Sequence, residues 1–117
     1  MGLINEELYG ACGDGWNEII QGTHEKLRWL DPDYHINQIK EKFGGLRYYF
    51  TPSKDVSIIQ RNIMNDVVAL AEYYAWRTCE KCGAEKSYNT NVETRAIHHW
   101  YLTRCDKCYE EELERRK

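Results

Sequence analysis

The sequence lacks any apolar run near the ~20 residues that a membrane span requires. It also lacks a surplus of positive charge: 16 Lys and Arg stand against 19 Asp and Glu, a formal charge of −3. The first shortage argues against a membrane partner. The second argues against broad nucleic-acid binding, which needs a positive field. The start, Met1-Gly2-Leu3-Ile4-Asn5-Glu6-Glu7, has neither the basic nor the apolar region of a signal peptide. Glu6 stands where a myristoylation signal wants Ser or Thr. A cytoplasmic location is expected. Proline occurs twice and phenylalanine twice, so the apolar content comes from other residues.

What is present is ordinary globular composition, 42% apolar and 30% charged over 117 residues, with nine Tyr and four Trp. That length suits one domain. Tyr and Trp bury large areas and also serve contact surfaces. Five cysteines are distributed unevenly. Four form Cys79-Glu80-Lys81-Cys82 and Cys105-Asp106-Lys107-Cys108, two knuckles whose two-residue gap lets both thiolates of a turn reach one metal ion. Together they supply the closed tetrahedral set of a structural Zn²⁺ site. Such a site holds a fold together and leaves no position for substrate. Gly83 follows the first knuckle, where the chain needs a turn. Cys12 is left over, and four paired thiols in metal spacing fit a reducing compartment better than a disulfide scaffold.

Taken in order, Leu3 to Gly10 allows one helical turn. Cys12-Gly13-Asp14-Gly15-Trp16 reads as a turn, with Asp14 a candidate N-cap. Ile19, Ile20, Leu27 and Leu30 recur at helical spacing and predict a helix from Trp16 to about Leu30, stopped at Asp31-Pro32. Tyr34 to Phe43 reads as a strand with imperfect alternation. Tyr34, Ile36, Gln38 and Lys40 lie on one face. Gly44-Gly45 predicts a two-residue hairpin turn. Leu46 to Phe50 reads as the clearer strand, with Leu46, Tyr48 and Phe50 pointing one way. A long helix capped by Ser53 or Asp55 is predicted to about Arg77. Ile59, Ile63, Val67, Leu70 and Tyr74 make its stripe, extended by Val56, as the main wall of the core. Glu85 to Glu93 reads as turn-prone, Ile97 to Leu102 as a strand, and Glu110 to Lys117 as a short charged helix or tail. The whole predicts an α+β domain: helix, β-hairpin, long helix, then a C-terminal zinc-ribbon lobe. The core covers residues 1–78 and the lobe 79–117, packed as one unit.

The Cys12–Trp16 motif, the run Gln38-Ile39-Lys40-Glu41-Lys42-Phe43-Gly44-Gly45-Leu46-Arg47-Tyr48-Tyr49, and the two knuckles with Trp100 before the second resemble a family of small, uncharacterised bacteriophage and prophage proteins. The resemblance covers most of the chain. It implies a phage or prophage origin and an intracellular life in a bacterial host. It carries over no catalytic residue.

The candidate binding residues surround the hairpin. Lys40, Lys42 and Arg47 flank Gly44 and Gly45, whose backbone amides can approach an anion, and aromatics beside them can stack on a base. Trp16 and Tyr48 are candidate anchors for a protein partner. Solvated lysines on an ordinary hairpin, and core aromatics, are the competing reading. Cys12 would need a nearby base such as His24 or His35 to act as a nucleophile. His98-His99 between the knuckles has the general layout of an HNH nuclease, but only five residues separate His99 from Cys105 and no downstream Asn and His complete the set. Residues 79–117 carry eight Lys or Arg and eight Asp or Glu. One Zn²⁺ with four thiolates would make the lobe anionic. The expected function is a non-enzymatic binding protein that engages a host factor, a protein or a nucleotide signal, and inhibits a host defence system or enzyme. A nucleic-acid-binding zinc-ribbon regulator is the alternative, and a degenerate nuclease the third reading.

Overall fold

The computed structural model describes residues 12–117; the helical turn expected at Leu3–Gly10 lies outside them. A 3₁₀ turn, Asp14–Trp16, leads into helix α1, Asn17–Leu30. Strands β1, His35–Lys42, and β2, Gly45–Thr51, form an antiparallel hairpin. Helix α2 spans Ile58–Ala75. A second antiparallel hairpin, β3 (Val92–Ile97) and β4 (Trp100–Cys105), precedes helix α3, Asp106–Arg115. The α+β order of helix, hairpin, long helix and cysteine-bearing lobe is the expected one. No helix among the described residues is long and apolar enough to cross a membrane.

Local chemistry accounts for the element ends. The cap of α2 is Ser57, not Ser53 or Asp55. Its hydroxyl accepts from the Gln60 amide and Gln60 returns a bond to the Ser57 N–H, a complete capping box. Ser53 instead joins the buried Asp31 carboxylate through its N–H and its hydroxyl, both at 2.8 Å. Asp14 opens the 3₁₀ turn and does not cap α1.

The β1 alternation is imperfect because of a bulge between Ile36 and Gln38. The extra residue reverses the parity of the strand. Ile39, and not Gln38 or Lys40, therefore follows Tyr34 and Ile36 onto the core side. The hairpin turn lies one residue earlier than expected, at Phe43-Gly44, with φ of 54° and 86°. Gly45 is already a strand residue opposite Lys42.

The core combines Trp16, Ile20 and Leu27 from the first helical segment, Tyr34, Ile39, Leu46 and Tyr48 from the hairpin, and Met64, Val68 and Ala75 from α2. Helix α2 is the longest helix, but it turns a different face inward than its bulky stripe predicts. Met64, Val68, Ala71 and Ala75 are buried, whereas Ile59, Ile63, Leu70 and Tyr74 are exposed. Small side chains at Ala71 and Ala75 let α2 pack closely against its neighbours. The expected strand over Ile97–Leu102 is broken by a turn at His98-His99, with His98 at φ 57°.

Candidate metal centre

The first knuckle follows directly on the end of α2. Cys79 is buried, Cys82 is exposed, and the chain turns back through Gly83 at φ 82°. The Cys79 N–H donates to the Ala84 carbonyl at 2.8 Å, and the Gly83 N–H to the Cys79 carbonyl at 2.9 Å. The second pair lies where β4 becomes α3. Cys105 is the N-cap of α3, and its sulfur accepts from the Cys108 N–H at 3.4 Å. The Ala84 N–H points in the same way at the Cys82 sulfur, also at 3.4 Å. Amide donors aimed at sulfur stabilise a thiolate.

All four sulfurs lie within 4.8 Å of one another. A tetrahedral Zn²⁺ with Zn–S bonds of about 2.3 Å requires S···S separations of about 3.8 Å, and the Cys82–Cys105 pair stands at 3.8 Å. The electrostatics favour a cation. Burial would raise the Cys79 thiol, but backbone hydrogen bonds from the two knuckles bring it down to about 7. Burial and the neighbouring thiols push Cys82 and Cys108 up. Four clustered thiols cannot all ionise against their mutual repulsion, and a divalent cation removes that obstacle. Cys79, Cys82, Cys105 and Cys108 thus fit a structural metal, with Zn²⁺ the best match to four thiolates. Among the described residues this is the one group able to hold a metal; His98 and His99 lie in an exposed turn outside it.

The lobe is fastened to the core along two seams. In the first, the Cys12–Trp16 turn lies on the knuckle. The Gly15 N–H donates to the Glu80 carbonyl at 2.7 Å. The Gly13 N–H meets the Glu80 carboxylate at 2.9 Å, and Trp16 Nε1 reaches the Thr78 carbonyl at 3.0 Å. A side chain on Gly13 or Gly15 would overlap the backbone of Cys79 and Glu80. In the second, the β1–β2 turn sits on the β3–β4 hairpin. Thr103, fully buried, donates to the Gly44 carbonyl at 2.5 Å and shares a hydroxyl contact of 2.6 Å with Thr94. Gly45 is roofed by the Trp76 ring. Glu80 links both seams, since its own N–H donates to the Thr103 carbonyl at 2.9 Å. Thr103 and Glu80 carried no signal in the sequence, because their importance rests on partners far along the chain.

The expected binding residues divide into two groups. Trp16, Gly44, Gly45 and Tyr48 are buried. Trp16 and the two glycines belong to the seams. Tyr48 belongs to a chain in which its hydroxyl meets Tyr34 at 2.7 Å and Tyr34 meets His24 Nδ1 at 2.5 Å. Burial pushes the Tyr48 and Tyr34 hydroxyls up, so both stay protonated. Lys40, Lys42 and Arg47 remain at least partly accessible on the outer face of the hairpin, the face opposite Ile39 and Tyr48. Lys40 stands directly across from Arg47. Among the described residues none forms an ion pair with any of these three cations. Tyr49 is exposed beside them, and Phe43, 65% exposed at the tip, carries Lys42 Nζ 5.7 Å from its ring. Cys12 is half-buried, and burial with the Glu80 and Glu41 carboxylates pushes its thiol up to about 12. It is the reverse of an activated nucleophile. Comparison with family models, curated proteins and solved structures gives no match to this chain.

Proposed function

We propose that this protein is a non-enzymatic binding module that engages an acidic surface of a protein partner through the outer face of its first hairpin. The single observation behind this reading is the pair Lys40–Arg47. Two cations directly opposite on one strand pair repel and weaken the hairpin, and no described carboxylate offsets them. A partner's carboxylates would offset that cost, with Arg47 able to grip one of them through two hydrogen bonds. Phe43 supports the same face. A bulky residue is unfavourable at φ 54° in a turn that prefers Asn or Gly, and its ring is displayed to solvent beside Tyr101, 6.3 Å away between centroids. An exposed aromatic beside a cation, Lys42, suits a protein interface. The closed cysteine set and the protonated Cys12 offer no site for chemistry. On the resemblance to phage and prophage proteins, the partner would be a bacterial host factor, and binding would inhibit a defence system or enzyme of the host.

The test compares the native protein with Lys40→Thr/Arg47→Thr and with Phe43→Asn in affinity capture from bacterial host lysate. Thr suits a strand and Asn suits a left-handed turn, so both variants should melt no lower than the native protein. Loss of a specific captured protein from folded variants supports the reading. Equal capture by all three refutes it. Capture of nucleic acid instead, abolished by salt, would favour the regulator.

A further inference from the structure

We infer that Cys82 is an oxidation site, where a peroxide reacts first and Cys105 then closes a disulfide across the two knuckles. The four clustered thiols are not equivalent. Cys82 is exposed, whereas Cys79, Cys105 and Cys108 are buried, and none of them is in a disulfide. A reagent arriving from solvent therefore meets the Cys82 sulfur before the other three. The second thiol is already close. The Cys105 sulfur stands 3.8 Å from that of Cys82, so an S–S bond of about 2.0 Å needs only about 1.8 Å of approach. Cys105 is also held in position, as the N-cap of α3, by the Cys108 N–H at 3.4 Å.

The chemistry balances with hydrogen peroxide as the oxidant. The Cys82 thiolate attacks one peroxide oxygen. An S–O bond forms, the O–O bond breaks, and the departing hydroxide takes a proton from solvent to become water. The Cys82 sulfur has then lost two electrons and is a sulfenic acid. The Cys105 thiolate attacks that sulfur. The S–S bond forms, the S–O bond breaks, and a second hydroxide leaves as water with a proton from solvent. Two thiolates, two protons and one peroxide become one disulfide and two waters. Neither sulfur of a disulfide is a thiolate ligand, so the site keeps Cys79 and Cys108 alone as donors for a metal.

The position of the two thiols carries the change into the seams. Glu80 stands two residues before Cys82, and Thr103 two residues before Cys105. The Glu80 N–H donates to the Thr103 carbonyl at 2.9 Å, and the Glu80 carbonyl accepts from Gly15 at 2.7 Å. The Thr103 hydroxyl holds the Gly44 carbonyl. A hydrogen bond of this length does not survive a displacement near 1.8 Å. Drawing Cys82 onto Cys105 therefore strains the contacts that fasten the Cys12–Trp16 turn and the β1–β2 turn to the lobe. Oxidation at one exposed sulfur would loosen both seams together.

The test treats the purified full chain with hydrogen peroxide, blocks the remaining thiols with N-ethylmaleimide at intervals, and maps the cysteines by peptide mass spectrometry. A chromogenic chelator follows zinc, and the emission of Trp16, bound to Thr78 in the first seam, follows the loosening. The first bond formed should be Cys82–Cys105, with zinc released and emission changed at the same rate. Dithiothreitol with added zinc should restore both. Cys12→Ser should behave as the native protein. Cys82→His keeps a metal-ligand atom but not the sulfur, and should retain its zinc under the same peroxide. If the purified chain holds no zinc, the disulfide map decides alone, with the same bond expected. A first disulfide between any other pair overturns the proposal. So do zinc release with no disulfide, first modification of a buried cysteine, and thiols that stay unmodified. A Cys82–Cys105 bond that leaves the emission unchanged overturns the coupling to the seams.

Discussion

Thr103 has no exposed surface, and its hydroxyl serves both the Gly44 carbonyl and Thr94. Replacing it by Val keeps the shape but strands the carbonyl of the buried Gly44 and takes a partner from Thr94. Thr103→Val should therefore cost about 1–3 kcal/mol in urea unfolding, while Thr103→Ser should cost less. His24 supplies a pH-dependent counterpart. Burial lowers its pKa, Arg28 pushes in the same direction, and Glu25 opposes them. His24 Nδ1 meets the Tyr34 hydroxyl at 2.5 Å, and the buried surroundings of the ring disfavour the imidazolium. Because the folded pKa lies below the unfolded value of about 6.5, the contribution is complete above that pH. It is lost as pH falls through the lower folded value. The native protein should lose more melting temperature between pH 7.5 and 5.5 than His24→Gln does (about one unit either side of the unfolded value). Equal losses would show that His24 has no such role. None of these contacts is legible in the sequence, since Thr103 and Gly44 lie 59 positions apart.

At the scale of elements, the glycines that look like turn or ligand residues act as docking surfaces. Gly45 leaves space for the Trp76 ring, and Gly13 and Gly15 let one turn lie directly on the knuckle. Gly45→Ala should destabilise the fold by about 1–3 kcal/mol, the usual cost of overpacking. The same change in a Trp76→Ala background should cost much less. A double-mutant cycle in urea measures this, and additive effects would dismiss the contact. The cap of α2 gives a second measure. Ser57→Ala should cost about 1 kcal/mol. Gln60→Ala should cost more, because Gln60 both completes the capping box and donates to the Leu30 carbonyl at 3.1 Å. Element identity was readable from spacing and turn residues. Facing was not: the bulge in β1 and the small Ala71 and Ala75 in α2 redirect which side chains turn inward.

For the whole molecule, the two seams tie the cysteine cluster to the main core. Metal loss should therefore be felt beyond the lobe. The lobe's own apolar cluster consists of Val92 and three cysteines, with Ala84 packed on it, too little to fold without a metal. One zinc per chain is expected by elemental analysis. Chelation should lower the melting temperature of the entire chain in a single transition and change the emission of Trp16, whose indole N–H is bound to Thr78 beside Cys79. Cys82→Ser should reproduce the effect. A chain free of zinc, or one whose core melts unchanged after chelation, would refute a structural metal.

The sequence by itself determined the metal-ligand spacing and the order of helices and hairpins. Both are local properties: two thiols in one turn need only four residues, and helical period or strand alternation is written within a single segment. The tertiary structure decided everything that depends on which segment meets which. It placed the Cys12–Trp16 turn and the Gly44-Gly45 turn on the seams, and left Lys40, Lys42 and Arg47 at least partly accessible while burying Trp16 and Tyr48. It also turned the bulky stripe of α2 outward. Burial in a packed chain is a contest between faces for one limited interior. In α2 the inward positions go to Met64, Val68, Ala71 and Ala75, where two small side chains lie beside two larger ones that fill the core.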